Sequence, residues 1–233
     1  MLLLFDIDGT LLSGATKAHR EALHAALREV HGIEIPETLP PSVNPAGRTD
    51  GEIARLILIL AGVSAKRIDE GSDAVREVCC REYERRCPND LAHRVIPGVG
   101  ELLLSLFSDD SARLALLTGN FEPVARIKLA RSGIGKYFPA GFGAFGSDSE
   151  DRTELPAIAR HRMGRDGVPY PREQTIVVGD TPLDIACARA DAVRCVAVAT
   201  GRFGVEELQE ADAVAADVPE LAVVLGELIA RDR

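Results

Sequence analysis

The sequence predicts an α/β protein with a doubly wound parallel sheet and an inserted block of helices. Three observations favour this class. Five short apolar runs typical of buried strands alternate with helical patterns along the chain. Three of these runs end at an acid or a hydroxyl residue, as expected at the edge where open parallel sheets bind ligands. The stretch 14–94 contains helical patterns and no convincing strand.

The first predicted strand runs from Leu2 to Phe5 and stops at Asp6. Four consecutive apolar residues are typical of a strand that is buried on both faces. Asp8 and Gly9 follow, and the glycine lets the chain turn so that both carboxylates surround one centre. Adjacent carboxylates repel each other unless a cation lies between them, and a hard divalent ion is their natural partner. An ordinary strand followed by a polar turn would use the same residue types.

The stretch 14–94 is predicted to be helical. Apolar residues recur at helical spacing over 17–30 and 52–61, and several prolines separate these two helices. Ser64 is the predicted N-cap of a third helix, which runs to about Arg86 before Pro88 stops it. We therefore expect a helical block at 14–94, inserted between the two parts of an α/β core at 1–13 and 95–233.

The chain then alternates between strands and helices. Further strands are predicted at 113–117, 142–145, 175–178 and 193–198, and helices at 99–107, 123–132, 152–163, 205–208 and 219–231. The second strand ends at Thr118, Gly119 and Asn120, where backbone amides and a helix start can bind an anion. An ordinary strand-to-helix turn would show the same sequence pattern. The fourth strand runs into the sequence GDTPLD, which contains Asp180 and Asp184 and also makes an ordinary helix start.

The runs DIDGT, TGN and GDTPLD resemble the first, second and fourth motifs of the haloacid dehalogenase-like hydrolases, a superfamily dominated by magnesium-dependent phosphatases. The resemblance implies a Rossmann-like core in which the second and fourth strands flank the first. It also implies that the block at 14–94 is a cap domain of the helical type. In this family the first acid, here Asp6, is a nucleophile that becomes an aspartyl phosphate, and the second, here Asp8, acts as general acid and base.

The same resemblance implies the rest of the site. Thr118 would bind the phosphoryl group through its hydroxyl, and Gly119 and Asn120 would contact the substrate beside it. A Mg²⁺ ion would be held by Asp6, by the backbone carbonyl of Asp8 and by Asp180. The remaining acid of the fourth motif, Asp184, would bind the ion directly or through water.

Two basic residues complete the predicted site. The third motif of the family usually supplies a lysine before the fourth strand, and this chain has Arg152 there. A guanidinium and an ammonium bind anions differently, so Arg152 is the predicted cation with Lys128 as the next candidate, and a solvated charge at a helix start is the alternative. Arg48 lies in the run GRTD, which resembles a segment near the active-site entrance of phosphoglycolate phosphatase-like and β-phosphoglucomutase-like members, and is predicted to contact the substrate.

Composition narrows the function classes. Acidic residues outnumber basic ones 36 to 27, and a net charge of −9 argues against binding to nucleic acid or to an anionic membrane. No apolar segment approaches the ~18 residues of a membrane span. Five cysteines without a CxxC spacing indicate reduced thiols and a cytoplasmic protein. None of the five histidines lies beside a candidate motif, so each is expected to be a surface or helix residue.

The predicted function is therefore a magnesium-dependent phosphatase that hydrolyses a small phosphorylated metabolite, such as phosphoglycolate or a sugar phosphate. Three alternatives remain at this point. A phosphomutase would return the phosphoryl group to a sugar, and a metal-independent 2-haloacid dehalogenase would not need Asp8. A non-catalytic protein could keep the fold and bind phosphate ligands without turnover. The sequence does not predict an oligomeric state.

Overall fold

The computed structural model describes residues 1–36 and 38–231. Within these residues, six parallel strands form one sheet in the order β3-β2-β1-β4-β5-β6. The strands are β1 (Leu2–Phe5), β2 (Arg113–Thr118), β3 (Ala144–Phe145), β4 (Thr175–Gly179), β5 (Arg194–Val198) and β6 (Ala213–Ala215). The helices are α1 (Lys17–His31), α2 (Asp50–Leu60), α3 (Ala65–Arg86), α4 (Val99–Phe107), α5 (Glu122–Arg131), α6 (Leu155–Met163), α7 (Pro182–Ala190) and α8 (Val218–Arg231). The predicted fold class is confirmed.

The central position of β1 sets the geometry of the site. Its neighbours are β2 and β4, and Phe5 pairs with Leu116 on one side and with Val178 on the other. The carboxyl ends of the three strands therefore lie level, as parallel pairing requires. This arrangement confirms the expectation that the second and fourth motifs flank the first.

Alternate side chains of β1 pack on opposite faces of the sheet. Leu3 and Phe5 belong to a core that includes α4, α5 and α8, whereas Leu2 and Leu4 belong to a core that includes α6 and α7. All four are fully buried, because helices cover both faces of a doubly wound sheet. The buried strand holds the backbone that delivers Asp6 to the edge.

Helices α1, α2 and α3 enclose a third apolar core of their own. This core extends to Phe121 and Val124 at the start of α5, so the helical segment packs against the element that follows β2. No strand occurs among the described residues of 14–94. Ser64 accepts a hydrogen bond from the Arg67 amide and caps α3, as predicted. No helix in the described part of the chain is long and apolar enough to cross a membrane.

The structure differs from the sequence prediction at short elements. The predicted strand 142–145 is only two residues long, because Gly143 has a φ of 97°, outside the extended region. The strand β6 was not predicted, since three residues of mainly alanine carry little strand signal. The predicted helix at 205–208 is a 3₁₀ turn, as is the first turn of the segment 152–163.

Candidate active site

The ends of β1, β2 and β4 bring Asp6, Thr118 and Asp180 to one edge of the sheet. A cavity of about 1160 Å³ opens there, between this edge and the helical segment. The predicted site residues that line it are Asp6, Asp8, Arg48, Gly119, Asn120, Arg152 and Asp180. Thr118 and Asp184 lie beneath this surface and are fully buried.

Asp6 is held by the predicted cation of the site. Nη2 of Arg152 donates to Oδ1 of Asp6 at 3.0 Å, and both side chains are buried. Burial raises the pKa of Asp6 to about 7, and repulsion from Asp184 and Asp8 adds to the effect, while Arg152 opposes it. Arg152 therefore lies beside the predicted nucleophile.

Arg152 is itself oriented by Asp184. The same Nη2 donates to Oδ1 of Asp184 at 2.5 Å, and Oδ2 accepts from the amide and the hydroxyl of Thr181 at 3.0 and 2.7 Å. Thr181 and Asp184 form a capping box at the start of α7. Both carboxylate oxygens of Asp184 are thus engaged. Nε of Arg152 is buried without a partner among the described residues, which leaves one donor for an anion.

Asp180 occupies a confined position at the end of β4. Oδ1 accepts a hydrogen bond from the hydroxyl of Thr10 at 3.1 Å. The carboxyl group lies against the Cα atoms of Gly9 and Gly201, where an added Cβ would come within 2.2 and 1.7 Å of Oδ2. Burial raises the pKa of Asp180 to about 8, and the charges of Asp6 and Asp184 raise it in the same direction.

The donor set at this edge fits a hard divalent cation. Asp6 and Asp180 are buried carboxyl groups that repel each other, and Oδ1 of Asp8 is buried without a partner in the described chain. Oxygen ligands of this kind suit Mg²⁺. No three His, Cys, Asp or Glu side chains of the described residues are grouped as a metal site. The predicted set combines the side chains of Asp6 and Asp180 with the backbone carbonyl of Asp8, and with Asp184 directly or through water.

Asp8 is bound by a different cation. Nζ of Lys128, on α5, donates to Oδ2 of Asp8 at 2.5 Å and to Oδ1 of Asn120 at 2.7 Å. The amide nitrogen of Asn120 donates to the same oxygen of Asp8 at 3.0 Å. Burial alone would raise the pKa of Asp8, but the charge of Lys128 and the hydrogen bonds from Lys128 and Asn120 hold it below its usual value. Asp8 is therefore a carboxylate in this arrangement.

A chain of buried groups continues from Lys128 into the helical segment. Nδ1 of His19, on α1, lies 3.3 Å from Nζ of Lys128, and Nε2 lies 2.9 Å from Oδ2 of Asp50 at the start of α2. An ammonium has only donors, so Nδ1 accepts and Nε2 donates to the carboxylate. Asp50 also accepts from the Phe121 amide at 2.7 Å. His19 is a helix residue, as expected, but it is a buried one that adjoins the site.

The second motif forms the wall between these two acids. Oγ1 of Thr118 accepts from the backbone and side-chain amides of Asn120 at 3.3 and 2.9 Å, so this hydroxyl is turned toward Asn120. Gly119 permits a close approach of the chains, because an added Cβ would lie 2.1 Å from the Arg48 carbonyl oxygen. Its own carbonyl accepts from the Asp50 amide at 2.8 Å.

Arg48 lines the cavity, but its charge is balanced. Nη1 of Arg48 forms an ion pair with Glu52, and Nε donates to the carbonyl oxygen of Asn44 at 3.0 Å. The side chain is half-buried along the cavity wall. In this arrangement Arg48 is directed toward its own helix start.

The sequence of the chain matches the model of a known protein family. A model of the haloacid dehalogenase-like hydrolases matches residues 3–189, which include the motifs at the ends of β1, β2 and β4. The chain belongs to this family.

Relatives of this haloacid dehalogenase-like chain include phosphoryl-transfer enzymes. A phosphoglycolate phosphatase from Rhodospirillum rubrum is 30% identical over 205 residues, which cover 85% of this chain and 79% of the relative. The β-phosphoglucomutase of Clostridium difficile has the same fold, with a TM-score of 0.71, 16% identity, and coverage of 99% and 97% of the two chains. CbbY from Rhodobacter sphaeroides, in complex with xylulose-(1,5)bisphosphate, gives a TM-score of 0.65 at 18% identity, with coverage of 94% and 95%.

The motifs of haloacid dehalogenase-like hydrolases do not point to His19 and Asp50, and they leave Lys128 as a second choice. One signal for Lys128 was present in the sequence. It lies one helical turn after Val124 on the inward face of α5, and a lysine on such a face needs a charged or polar partner. The partner, Asp8, is 120 residues away along the chain, so only the folded structure reveals the pair.

Proposed function

We propose that the chain is a magnesium-dependent phosphatase that hydrolyses a small organic phosphomonoester through an aspartyl phosphate on Asp6. The observation that carries this proposal is the arrangement around Asp6. A buried carboxylate lies beside a guanidinium that has a further unpartnered N–H, and a second carboxylate, Asp8, follows two residues later. The 30% identity to a phosphoglycolate phosphatase supports the same reaction class.

In the first half-reaction, an oxygen of Asp6 attacks phosphorus as the ester P–O bond breaks. Arg152 lies beside the attacking carboxylate, and its Nε can donate to a phosphoryl oxygen, which offsets developing charge. Asp8 takes up a proton from solvent as the substrate enters and gives it to the leaving alkoxide. The approaching phosphate raises the proton affinity of Asp8, because like charges disfavour the ionised form.

In the second half-reaction, Asp8 accepts a proton from water as the water oxygen attacks phosphorus and the bond to Asp6 breaks. The products are inorganic phosphate and the free carboxylate of Asp6. Asp8 begins this step as a carboxylate, the form that Lys128 and Asn120 favour in the structure. The two acids thus have separate roles, one covalent and one in proton transfer.

The residues that would hold Mg²⁺ are Asp6, Asp180 and the backbone carbonyl of Asp8, as the resemblance implies. Asp184 has both oxygens engaged, so its contribution in this arrangement is to orient Arg152. When bound, the ion would supply positive charge to the phosphoryl oxygens and offset the repulsion between the carboxylates.

The helical segment supports a small substrate. We assign residues 14–94 to a cap domain and 1–13 with 95–233 to the core, as the sequence predicts. The cavity lies between them, and a cap of this kind excludes water and bulky molecules during transfer. Phosphoglycolate and sugar phosphates are of suitable size. The free cysteines of the described chain support a cytoplasmic location, where thiols stay reduced.

A phosphomutase is the second candidate, because the solved structures that share this fold include β-phosphoglucomutases. A mutase would pass the phosphoryl group from Asp6 to a sugar hydroxyl in place of water. The two reactions differ in their product. A phosphatase releases inorganic phosphate in proportion to the substrate consumed, whereas a mutase gives an isomeric sugar phosphate.

The direct test is hydrolysis of p-nitrophenyl phosphate by the purified protein, with Mg²⁺ and with excess chelator. We expect phosphate release that requires the metal and is absent in Asp6→Asn. Full activity in chelator would contradict the metal requirement and favour a metal-independent reaction. No release of phosphate from this ester or from a panel of phosphorylated metabolites would contradict the phosphatase assignment.

A further inference from the structure

Three basic residues form one face of α1. Arg20, His24 and Arg28 are four residues apart, so their side chains follow one another along the same side of the helix. All three line the cavity that also contains Asp6 and Asp8. We call this set the α1 basic face.

The charges of the α1 basic face are not balanced. In the described part of the chain, no side-chain hydrogen bond or ion pair engages Arg20 or Arg28. The acids nearest to them on α1 are engaged elsewhere, since Glu21 lies 4.0 Å from Lys17 and Glu29 accepts from Arg81 at 2.8 Å. Arg20 and Arg28 are thus exposed side chains that line the cavity without an ion-pair partner among the described residues.

The pKa of His24 shows that Arg20 and Arg28 both lie close to its imidazole. Burial lowers the pKa of its imidazole, and the charges of Arg28 and Arg20 lower it further. Each arginine therefore lies near enough to His24 to repel a proton from it. A bound anion between them would relieve the same repulsion.

Other arginines of the cavity wall are already neutralised or bonded. Arg48 pairs with Glu52, and Arg86 donates to Glu82 at 2.8 Å. The charge of Arg48 is thus balanced by Glu52 in this arrangement, and its predicted contact with the substrate stays a prediction. The arginines of the wall that have no acidic partner among the described residues are Arg20 and Arg28 on α1 and Arg202, which donates to Oδ1 of Asn44 at 3.0 Å.

The start of the α1 basic face adjoins the reaction centre. His19, which precedes Arg20, lies 3.3 Å from the ammonium of Lys128, and Lys128 binds Asp8. At 1.5 Å per residue, Arg28 lies about 12 Å farther along the helix than Arg20. Arg20 and Arg28 therefore give the cavity wall two cationic positions that are separated along the helix axis by this distance.

We propose that the α1 basic face binds a second anionic group of the substrate, so that preferred substrates carry a phosphate or carboxylate at the end opposite the transferred phosphoryl group. This inference rests on the proposed function and names the substrate class of that site. A guanidinium grips either anion with two parallel hydrogen bonds. A distal group close to the phosphoryl group would meet Arg20, and a more distant one would meet Arg28.

The test compares two ligands that differ by one phosphate. Calorimetry on Asp6→Asn, which binds without turnover, gives the affinities for ribulose bisphosphate and ribulose monophosphate. We expect Arg20→Gln/Arg28→Gln in this background to lower the ratio of the two affinities by about tenfold or more, the effect of losing a charged hydrogen bond. Phosphoglycolate carries its carboxylate close to the phosphoryl group. We therefore expect Arg20→Gln alone to weaken its binding, and Arg28→Gln to leave its affinity unchanged.

Arg165→Gln is the matched control. It removes one positive charge from an exposed position outside the cavity, so it shows the effect of net charge alone. Low ionic strength keeps screening small. An unchanged affinity ratio in the double variant would overturn the inference, as would an equal fall in the control. Failure of the proposed function appears separately, as wild-type protein that hydrolyses no phosphomonoester.

Discussion

Asp6 and Asp8 are two residues apart, yet their carboxyl groups have opposite electrostatic surroundings. Asp6 shares one guanidinium, that of Arg152, with Asp184, and the pKa of Asp6 is raised. Asp8 is the one acid of the described site that binds the ammonium of Lys128, and the pKa of Asp8 is lowered. Neighbouring acids whose pKa values are pushed apart are typical of sites where one group forms a bond and the other moves protons.

The source of each cation explains this difference. Arg152 comes from the segment before α6 and reaches the Asp6 side, whereas Lys128 comes from α5 and reaches the Asp8 side. Among the residues that the structure describes, hydrogen bonds connect Lys128 to the helical segment, through His19 and Asp50, and none connects Arg152 to it. Asp8, the proposed proton-transfer group, is thus connected to the helices beside the cavity, and Asp6, the proposed nucleophile, is bound within the core.

The largest effect should come from the acids themselves. Asp6→Asn removes the nucleophile and one predicted metal ligand, so we expect no measurable turnover with an intact fold. Asp8→Asn should lower kcat on the order of 10²-fold or more, the range of general acid–base catalysis. Steady-state kinetics and circular dichroism of both variants test this ranking. If Asp6→Asn kept the turnover of the wild type, Asp6 could not be the nucleophile.

Arg152 provides the next largest effect. Arg152→Ala deletes the donor that we propose for a phosphoryl oxygen, so we expect kcat to fall by about 10²–10³, as for other preorganised donors. Arg152→Lys should retain more activity, since lysine is usual at this place in the family. Activity of Arg152→Ala equal to wild type would transfer the role to Lys128.

Lys128 sharpens the comparison between the two acids. Lys128→Met keeps the length of the side chain but leaves Asp8 with Asn120 as its remaining partner, so proton transfer should suffer. We expect kcat/KM to fall about tenfold more for an alkyl phosphate than for p-nitrophenyl phosphate, because the aryl group leaves without a proton. An equal loss for both substrates would indicate only a structural role.

Stability supplies a control for Lys128→Met. Removing one partner of a buried ion pair costs about 3–5 kcal/mol, and less where a side chain such as Asp8 is 20% exposed. Lys128→Met/Asp8→Asn should be more stable than Lys128→Met alone, since it leaves no uncompensated charge. Urea denaturation of the two variants measures the difference. A double variant less stable than the single one would contradict the pairing.

His19 tests the connection to the helical segment. His19→Leu fills the same space but removes both hydrogen bonds, so we expect a several-fold loss of kcat/KM that again falls more on the alkyl phosphate. His93→Leu, at an exposed position, is the matched control. If His19→Leu lowered kcat/KM equally for both substrates, His19 would have only a packing role.

The smallest expected effects concern pH and metal. The pKa of Asp180 is about 8 in the folded protein and 3.8 in a free side chain, so its stabilising contribution is full below about pH 4 and is lost as pH rises through about 8. Without metal, stability should fall less over this range in Asp180→Asn than in wild type. Thermal denaturation from acid to mildly alkaline pH measures this, and equal slopes would contradict the assignment.

Mg²⁺ should reverse that loss of stability. A ligand that binds only the folded protein raises Tm, and it should do so most where Asp6 and Asp180 are ionised. We expect a rise in Tm for wild type at neutral to alkaline pH and none for Asp180→Asn. A rise of the same size in both proteins would place the metal elsewhere.

Much of the fold was predictable because the buried strands are continuous apolar runs that end at polar residues. The helices from 17 to 107 follow the predicted pattern closely, whereas β6 and the short β3 are set by tertiary contacts and by a glycine with positive φ. The acids of the site were predictable for the same reason as the strands. Their adjacency needed the family resemblance, since sequence gives only their order.

The second cation was harder to predict. Lys128 and Asp8 meet because α5 packs under the loop after β1, and His19 meets Lys128 because α1 folds back over the same point. These contacts join residues more than a hundred positions apart, and no local pattern encodes them. Arg48 illustrates the converse case, because its motif is recognisable but its ion pair with Glu52 is visible only in the structure.

The central claim is that Asp6 carries the phosphoryl group while Asp8 moves the proton. Rapid acid quenching of Asp8→Asn during turnover of p-nitrophenyl phosphate, followed by mass spectrometry of its peptides, tests this most directly. The good leaving group needs no acid, but hydrolysis of the intermediate needs the missing base, so the phosphoryl group should accumulate on the peptide that contains Asp6. An active wild-type enzyme with no phosphoryl group on that peptide in Asp8→Asn, or with the group on another residue, would contradict the account.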